Sequence, residues 1–238
     1  MHRGQIDDGK GGMTVVRHVD HAALAQETER LANSKIASLQ CRYTGQNNAV
    51  SAQARAELAR LRRINGSNNS SWFATDGLVL EGWSCERMER LGASQLDEDR
   101  VFCALKSVLG LYALHQQSKS VGCAVLRNKD EDDEEYRVRI AWASFGRACR
   151  RIKPKLDEAS CVRRRLMAIE RANDFDTVLY NLRSLIRLMK SSKDNQPIQL
   201  DYGSLAEDLY LLQLPGEWRE NVLSRWSRDY FTSVETLE

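Results

Sequence analysis

Apolar residues recur along this chain at helical intervals rather than in strand-like alternation. Over residues 49–64, Ala54, Leu58, Leu61 and Ile64 share one helix face, while Arg55, Arg60, Arg62 and Arg63 take the opposite half. The turn formers Asn65-Gly66-Ser67-Asn68-Asn69 end that segment. Residues 99–116 predict a second helix with a stripe of Val101, Phe102, Leu105, Val108, Leu109 and Tyr112. Ala104, Leu111 and Leu114 fill much of its other side, which places this helix at the centre of the molecule. His115, near its end, has no nucleophile or partner base beside it, so a hydrogen-bonded structural imidazole is expected rather than a catalytic one.

The carboxyl-terminal half repeats the pattern. Residues 138–152 lead into Ser144-Phe145-Gly146-Arg147-Ala148-Cys149-Arg150-Arg151, and 161–171 carries Val162, Leu166 and Ile169 with Arg163, Arg164 and Arg165 around them. The clearest period runs over 175–190, where Phe175, Val178, Leu179, Leu182, Leu185, Ile186 and Met189 lie within about a third of the circumference. Asn173 or Asp174 is a ready N-cap, and Arg183, Arg187 and Lys190 follow one edge of the apolar face. Ser204 and Glu207 have capping-box spacing ahead of Leu205, Leu209 and Leu212, and Pro215-Gly216 breaks that helix. Trp218, Val222, Trp226 and Tyr230 mark a last helix, on which Arg225 and Asp229 are spaced to pair. The prediction is an all-α protein, with amino-terminal helices packed on a carboxyl-terminal antiparallel bundle of about four or five. Its expected divisions are a disordered tail at 1–20, an amino-terminal helical part at 21–126, an acidic loop insert at 127–139 and the bundle at 140–238.

Composition supports this reading. Of 238 residues, 42% are hydrophobic, enough for a core in one large domain or two small ones. No run approaches the ~18 apolar residues of a membrane span, and the first eight residues lack the apolar stretch of a secretory signal. Pro154, Pro197 and Pro215 are the only prolines, which suits long helices. Cys41, Cys85, Cys103, Cys123, Cys149 and Cys161 contain no Cys-x-x-Cys pair, so reduced, mostly buried thiols of a cytoplasmic protein are expected rather than a zinc site.

The net charge of +2 conceals a segregation that changes the functional picture. Residues 147–190 carry 12 basic groups against 5 acidic ones, so the segment is +7 and the remainder −5. Nine of the 12 are arginine, whose planar fork grips phosphate bidentately. A polyanion-facing surface is favoured over salt-bridged helix faces, because the local carboxylates cannot neutralise these cations. Asp130 to Glu135 form an uninterrupted acidic run, read as a solvated loop rather than a metal site.

Catalytic motifs fail on inspection. Gly4 to Gly11 approaches a phosphate-binding loop, but Gly11 stands where Ser or Thr would hold magnesium and no strand can precede it. His18 and His21 could offer two metal ligands without an evident third. Neither a Gly-x-Ser-x-Gly elbow nor a dinucleotide fingerprint occurs.

Several pieces, in order, resemble the CasB family, the small subunit of the type I-E CRISPR effector complex Cascade. They are Leu58-Ala59-Arg60-Leu61-Arg62-Arg63, Leu111-Tyr112-Ala113-Leu114-His115-Gln116-Gln117-Ser118 and Phe145-Gly146-Arg147-Ala148. Arg163-Arg164-Arg165-Leu166, Leu182-Arg183-Ser184-Leu185-Ile186-Arg187-Leu188, Leu200-Asp201-Tyr202 and Arg225-Trp226-Ser227-Arg228-Asp229-Tyr230-Phe231 follow. The long amino-terminal segment and the acidic insert depart from the family pattern. The resemblance implies an all-helical, non-catalytic subunit that needs no cofactor, present in two copies against the backbone and large subunits of Cascade. It further implies contact with crRNA and with the target and displaced strands of target DNA, and no membrane. Carried over by position, Arg62, Arg63, Lys119, Arg147, Arg150, Arg151, Arg164, Arg165, Arg183 and Arg187 are the expected phosphate contacts. Two other classes remain open: a free-standing helical DNA- or RNA-binding regulator, and a metal-dependent hydrolase using His18, His21 and nearby carboxylates.

Overall fold

The computed structural model describes residues 19–64, 72–127, 130–155, 157–192 and 197–232. Most of the expected tail, the Gly4–Gly11 segment, His18 and the turn formers at 65–69 lie outside the described residues. Eleven helices occupy the described residues: α1 (His21–Thr44), α2 (Asn48–Ile64), α3 (Trp72–Leu80), α4 (Cys85–Arg90), α5 (Gln95–Gln116), α6 (Asp133–Trp142), α7 (Phe145–Ile152), α8 (Ser160–Glu170), α9 (Phe175–Lys190), α10 (Tyr202–Leu211) and α11 (Glu217–Phe231). Their only β feature is an isolated parallel bridge between Ala124 and Leu200. The all-α expectation is met, and no described helix is long and apolar enough to cross a membrane.

α5 is the hub, packing against α1, α2, α3, α9 and α10. It begins at Gln95, earlier than its apolar stripe indicates, because Ser94 and Asp97 close a capping box: the Asp97 amide donates to Ser94 Oγ at 3.3 Å and the Ser94 amide donates to Asp97 Oδ2 at 3.1 Å. From Val101 onward almost every side is covered, and Val101, Leu105 and Tyr112 are inaccessible to solvent.

α1 has no clear apolar period, because its buried face is partly polar. Leu24, Leu31, Ile36 and Leu39 share it with Glu27, Thr28, Lys35 and Gln40. Each of those polar groups has a partner, as burial demands. Glu27 pairs with Arg30 at 2.6 Å and Arg87 at 2.7 Å, and Lys35 donates to the carbonyls of Leu78 and Glu81. Gln40 donates to Ala124 O and accepts from Ala124 N, both at 2.9 Å, so its amide stands in for a neighbouring backbone. Asp20, placed in the tail by its sequence, is the N-cap of α1 and accepts from the Ala23 amide at 2.9 Å.

Other expectations need correction. The acidic run is not all loop, since Asp133 to Glu135 form the first turn of α6. Asp132 Oδ1 accepts from the amides of Glu134 and Glu135 at 2.8 Å, and carboxylates in a first turn face the positive end of the helix dipole. Glu131 is taken up by Arg139 in a two-pronged bond at 2.5 and 2.7 Å. α10 starts before Ser204; its N-cap is Asp201, which accepts from the Ser204 amide. Arg225 bonds Asp208 rather than Asp229. The six cysteines are free, but only Cys123 and Cys149 are buried.

α11 is held by two devices. Asp208, buried on α10, accepts from Arg225 and from the Trp226 indole at 2.6 Å. At Gly146 of α7, an added Cβ would stand 2.4 Å from Trp226 O and 2.6 Å from Asp229 Cβ. Because a carbonyl on a packed helix cannot swing aside, Gly146→Ala is expected to lower stability by about 1–3 kcal/mol in chemical denaturation, and an unchanged midpoint would contradict the close packing.

Burial pushes the Asp208 carboxyl up to about 7 against the pull of Arg225 and the indole. The folded chain therefore keeps a proton that the unfolded chain releases between about 3.8 and about 7. This group's contribution to stability is greatest below that window and is lost as pH rises through it. The stability advantage of wild type over Asp208→Asn is expected to be larger at pH 5 than at pH 8 in urea titrations. A difference that does not vary with pH would contradict the assignment.

Candidate nucleic-acid interface

The candidate cations stand on helices whose apolar faces are fixed in the core. α9 matches its sequence bounds and is capped by Asp174, which accepts from the Thr177 amide at 2.7 Å and hydroxyl at 2.8 Å. Val178, Leu182, Leu185, Ile186 and Met189 face inward against α5, α7 and α8. Arg187 is therefore exposed and Arg183 half-buried. Burial lowers the Arg183 guanidinium pKa and Arg187 lowers it further, while its Nη1 is buried without a hydrogen-bond partner.

A second grouping forms where helices end. Lys190, the last residue of α9, donates to Gln117 Oε1 at 2.8 Å. Burial depresses its pKa first, and then Arg62 from the last turn of α2 and Lys119 just beyond α5. His115 reports the same field from within: burial drives its imidazole down to about 3, with Lys119, Lys190 and Arg151 adding to the effect. The expected structural role of His115 holds, since its Nδ1 lies 2.9 Å from the Tyr202 hydroxyl. Arg151, at the end of α7, donates to Gln199 O at 2.5 Å, and its Nε is buried without a partner. Lys119 and Lys190 thus lie near enough to act on one another and on His115, with Arg62 on the Lys190 side and Arg151 on the His115 side.

The other candidates are more scattered. Arg150 of α7 and Arg163 of α8 both act on Tyr230, whose phenol is raised by burial and drawn back by these cations. A groove of about 1210 Å³ adjoins them between α8 and α11, lined by Leu166, Met167, Leu223 and Phe231 among others. Arg147 lies over the Trp142 ring at 5.3 Å and donates to Ala141 O. Arg165 donates to Cys161 O of its own helix, and Arg63 and Arg164 are exposed. Sequence reasoning left Lys190 and Arg163 out of the site, although both stood in basic runs it had marked.

None of these candidates forms an ion pair with another described residue. The pairs that do occur use other cations, such as Arg42 with Glu57, Arg100 with Asp97 and Arg139 with Glu131. His21, half of the possible metal pair, has its Nδ1 2.8 Å from the Tyr210 hydroxyl.

A buried central helix ringed by others, with cations that lack carboxylate partners at several helix ends, defines the class as an all-helical protein. It superposes on CasB from Thermobifida fusca with a TM-score of 0.61 and 24% identity, over 86% of this chain and 98% of that one. M. ruber CasB matches with a TM-score of 0.50 and 20% identity, over 90% and 94% of the respective chains. These likenesses establish the fold, and no curated protein matches the sequence. The profile of the CRISPR-associated protein Cse2 family matches residues 57–231. The chain belongs to that family and is a structural subunit of the type I-E Cascade complex in CRISPR defence.

The burial of His115, reinforced by its cationic neighbours, has a direct consequence. Its imidazole is expected to stay neutral from pH 8 down to pH 5 in an NMR titration of the folded chain. A midpoint near the ordinary 6.5 would contradict the burial of the imidazole.

Proposed function

We propose that this chain acts in the cytoplasm as a non-catalytic Cascade subunit that grips nucleic-acid backbone and so stabilises the R-loop. Its partners are crRNA, the target and displaced strands of target DNA, the backbone and large subunits of Cascade, and a second copy of itself. The observation that carries this reading is the set of cations without carboxylate partners: Arg62, Lys119, Arg151 and Lys190 in one grouping, Arg183 and Arg187 along α9. None of these six forms an ion pair with another described residue, so their counter-charge is left to solution or to a bound polyanion.

Arginine and lysine placed on separate helices suit a path along phosphates better than a single recognition helix reading base edges. Phosphate contacts carry no sequence information, as required where base pairing supplies specificity. R-loop formation is close to balanced in free energy, so a modest number of backbone contacts can tip it.

The test is a double substitution, Arg183→Ala with Arg187→Ala, in the assembled complex. R-loop lifetime is expected to shorten for every target alike, and the slope of log affinity against log salt to fall by about two. Target-dependent loss with an unchanged salt slope would reject backbone gripping and favour a reader of base edges.

A further inference from the structure

We propose that Tyr180 is a stacking platform for an unpaired base of single-stranded DNA, set beside the phosphate-gripping arginines of α9. The inference rests on the function proposed above and deepens it by giving that surface a means to tell a single strand from a duplex.

Tyr180 is 70% exposed, ahead of Leu96 at 57% and Phe231 at 55%. Such exposure follows from its position on the helix. At about 100° per residue, Tyr180 lies about 20° from Arg187 and about 60° from Arg183, and directly opposite Met189 in the core. Its ring meets no other ring or cation among the described residues, unlike the rings of Tyr43, Tyr136 and Trp142, each covered by an arginine. One face of α9 thus presents a bare aromatic ring next to arginines that lack carboxylate partners.

Charge along that face gives the site a direction. Asp176 lies one turn before Tyr180 on the same side, and Arg183, Arg187 and Lys190 follow it. A phosphate backbone is repelled at the start of the helix and held along its second half, so a bound strand meets Tyr180 at the edge of the cationic stretch. α8 packs against α9 across a short connection, and Arg165 and Tyr180 each stand five residues from the helix end that meets it.

Stacked rings beside a cationic track are the means by which proteins hold single strands, because every base offers a π face whatever its identity. A duplex hides those faces inside its stack, and a ring on a convex helix surface cannot reach them. In an R-loop the guide and target strands are paired with each other, which leaves the displaced DNA strand as the one with free faces. A protein partner is the competing occupant, since tyrosine and arginine are also enriched in protein interfaces.

The experiment measures binding of the full chain to a DNA oligonucleotide carrying 2-aminopurine, to the same sequence as duplex, and to the matching RNA strand. Variants are Tyr180→Phe, Tyr180→Leu and Arg183→Ala with Arg187→Ala, each checked by circular dichroism for an intact fold. Wild type and Tyr180→Phe are expected to quench the base fluorescence. Tyr180→Leu is expected to lose the quenching and bind the single DNA strand about ten-fold more weakly, with duplex affinity changed less than about two-fold. The double arginine variant weakens both.

Single-strand affinity and quenching retained in Tyr180→Leu would overturn the stacking role, while loss in the arginine variant would leave backbone gripping in place. Equal losses on single strand and duplex would overturn the discrimination. A larger effect on RNA than on DNA would overturn the choice of strand. Failure of wild type to bind either form would overturn both this inference and the function beneath it. Finally, if Tyr180→Leu binds DNA normally but no longer retains the other proteins of the complex, the residue is a protein contact and the proposal falls.

Discussion

From Val101 onward α5 is covered on almost every side, so the polar groups around its carboxyl-terminal end must find their partners within the protein. The backbone Lys119 amide caps the Gln116 carbonyl at 3.1 Å, and the Gln116 side chain settles the turn that follows. The Gln116 amide donates to Lys119 O at 3.2 Å and Val121 O at 3.0 Å and accepts from the Cys123 amide at 2.9 Å, closing the following turn on itself. Gln40 of α1 holds the next residue, Ala124, from the other side, and Ala124 bridges Leu200 ahead of α10. His115 reaches Tyr202, and Tyr202 stacks edge-on against Tyr112 at 5.3 Å. The end of α5 therefore locks α1, the segment after α5 and the start of α10 together. It also fixes where Lys119 emerges.

That arrangement explains which parts of the molecule were legible in the sequence. α9 and α2 each keep an apolar stripe, Val178 to Met189 and Ala54 to Leu61, that is regular enough for the period to locate them, α9 to the residue, even though α2 also buries Ser51 and Glu57 and α9 buries Asn181. α1 buries Glu27, Lys35 and Gln40 among its leucines, and a periodicity that counts charged residues as outward-facing cannot register it. α6 fails for a related reason: a row of carboxylates reads as self-repelling, yet a cap at Asp132, the helix dipole and Arg139 dispose of most of that repulsion locally. The partner of Arg225 was out of reach because a spacing of four suggested Asp229, whereas Asp208 comes from another helix. At the site the difference is similar. The Arg183–Arg187 stripe lies within one helix and can be read from spacing, whereas the meeting of Arg62, Lys119, Arg151 and Lys190 depends on where four chain segments end in space.

The positions of those ends also answer how unpaired cations can be kept close together. Arg62 lies in the last turn of α2, Arg151 in that of α7 and Lys190 in that of α9, with Lys119 just past the end of α5. A helix carboxyl terminus carries about half a negative charge on its free carbonyls, so each cation is steadied by backbone dipoles rather than by a carboxylate. The compensation is partial: burial first, and then their cationic neighbours, depress both Lys190 and His115, and the guanidiniums of Arg151 and Arg183 keep unsatisfied nitrogens. A carboxylate at any of these places would relieve the repulsion and cancel the field with it. Helix ends hold the cations in place without neutralising them. That combination suits a surface whose counter-charge is supplied from outside, as a row of phosphates would supply it.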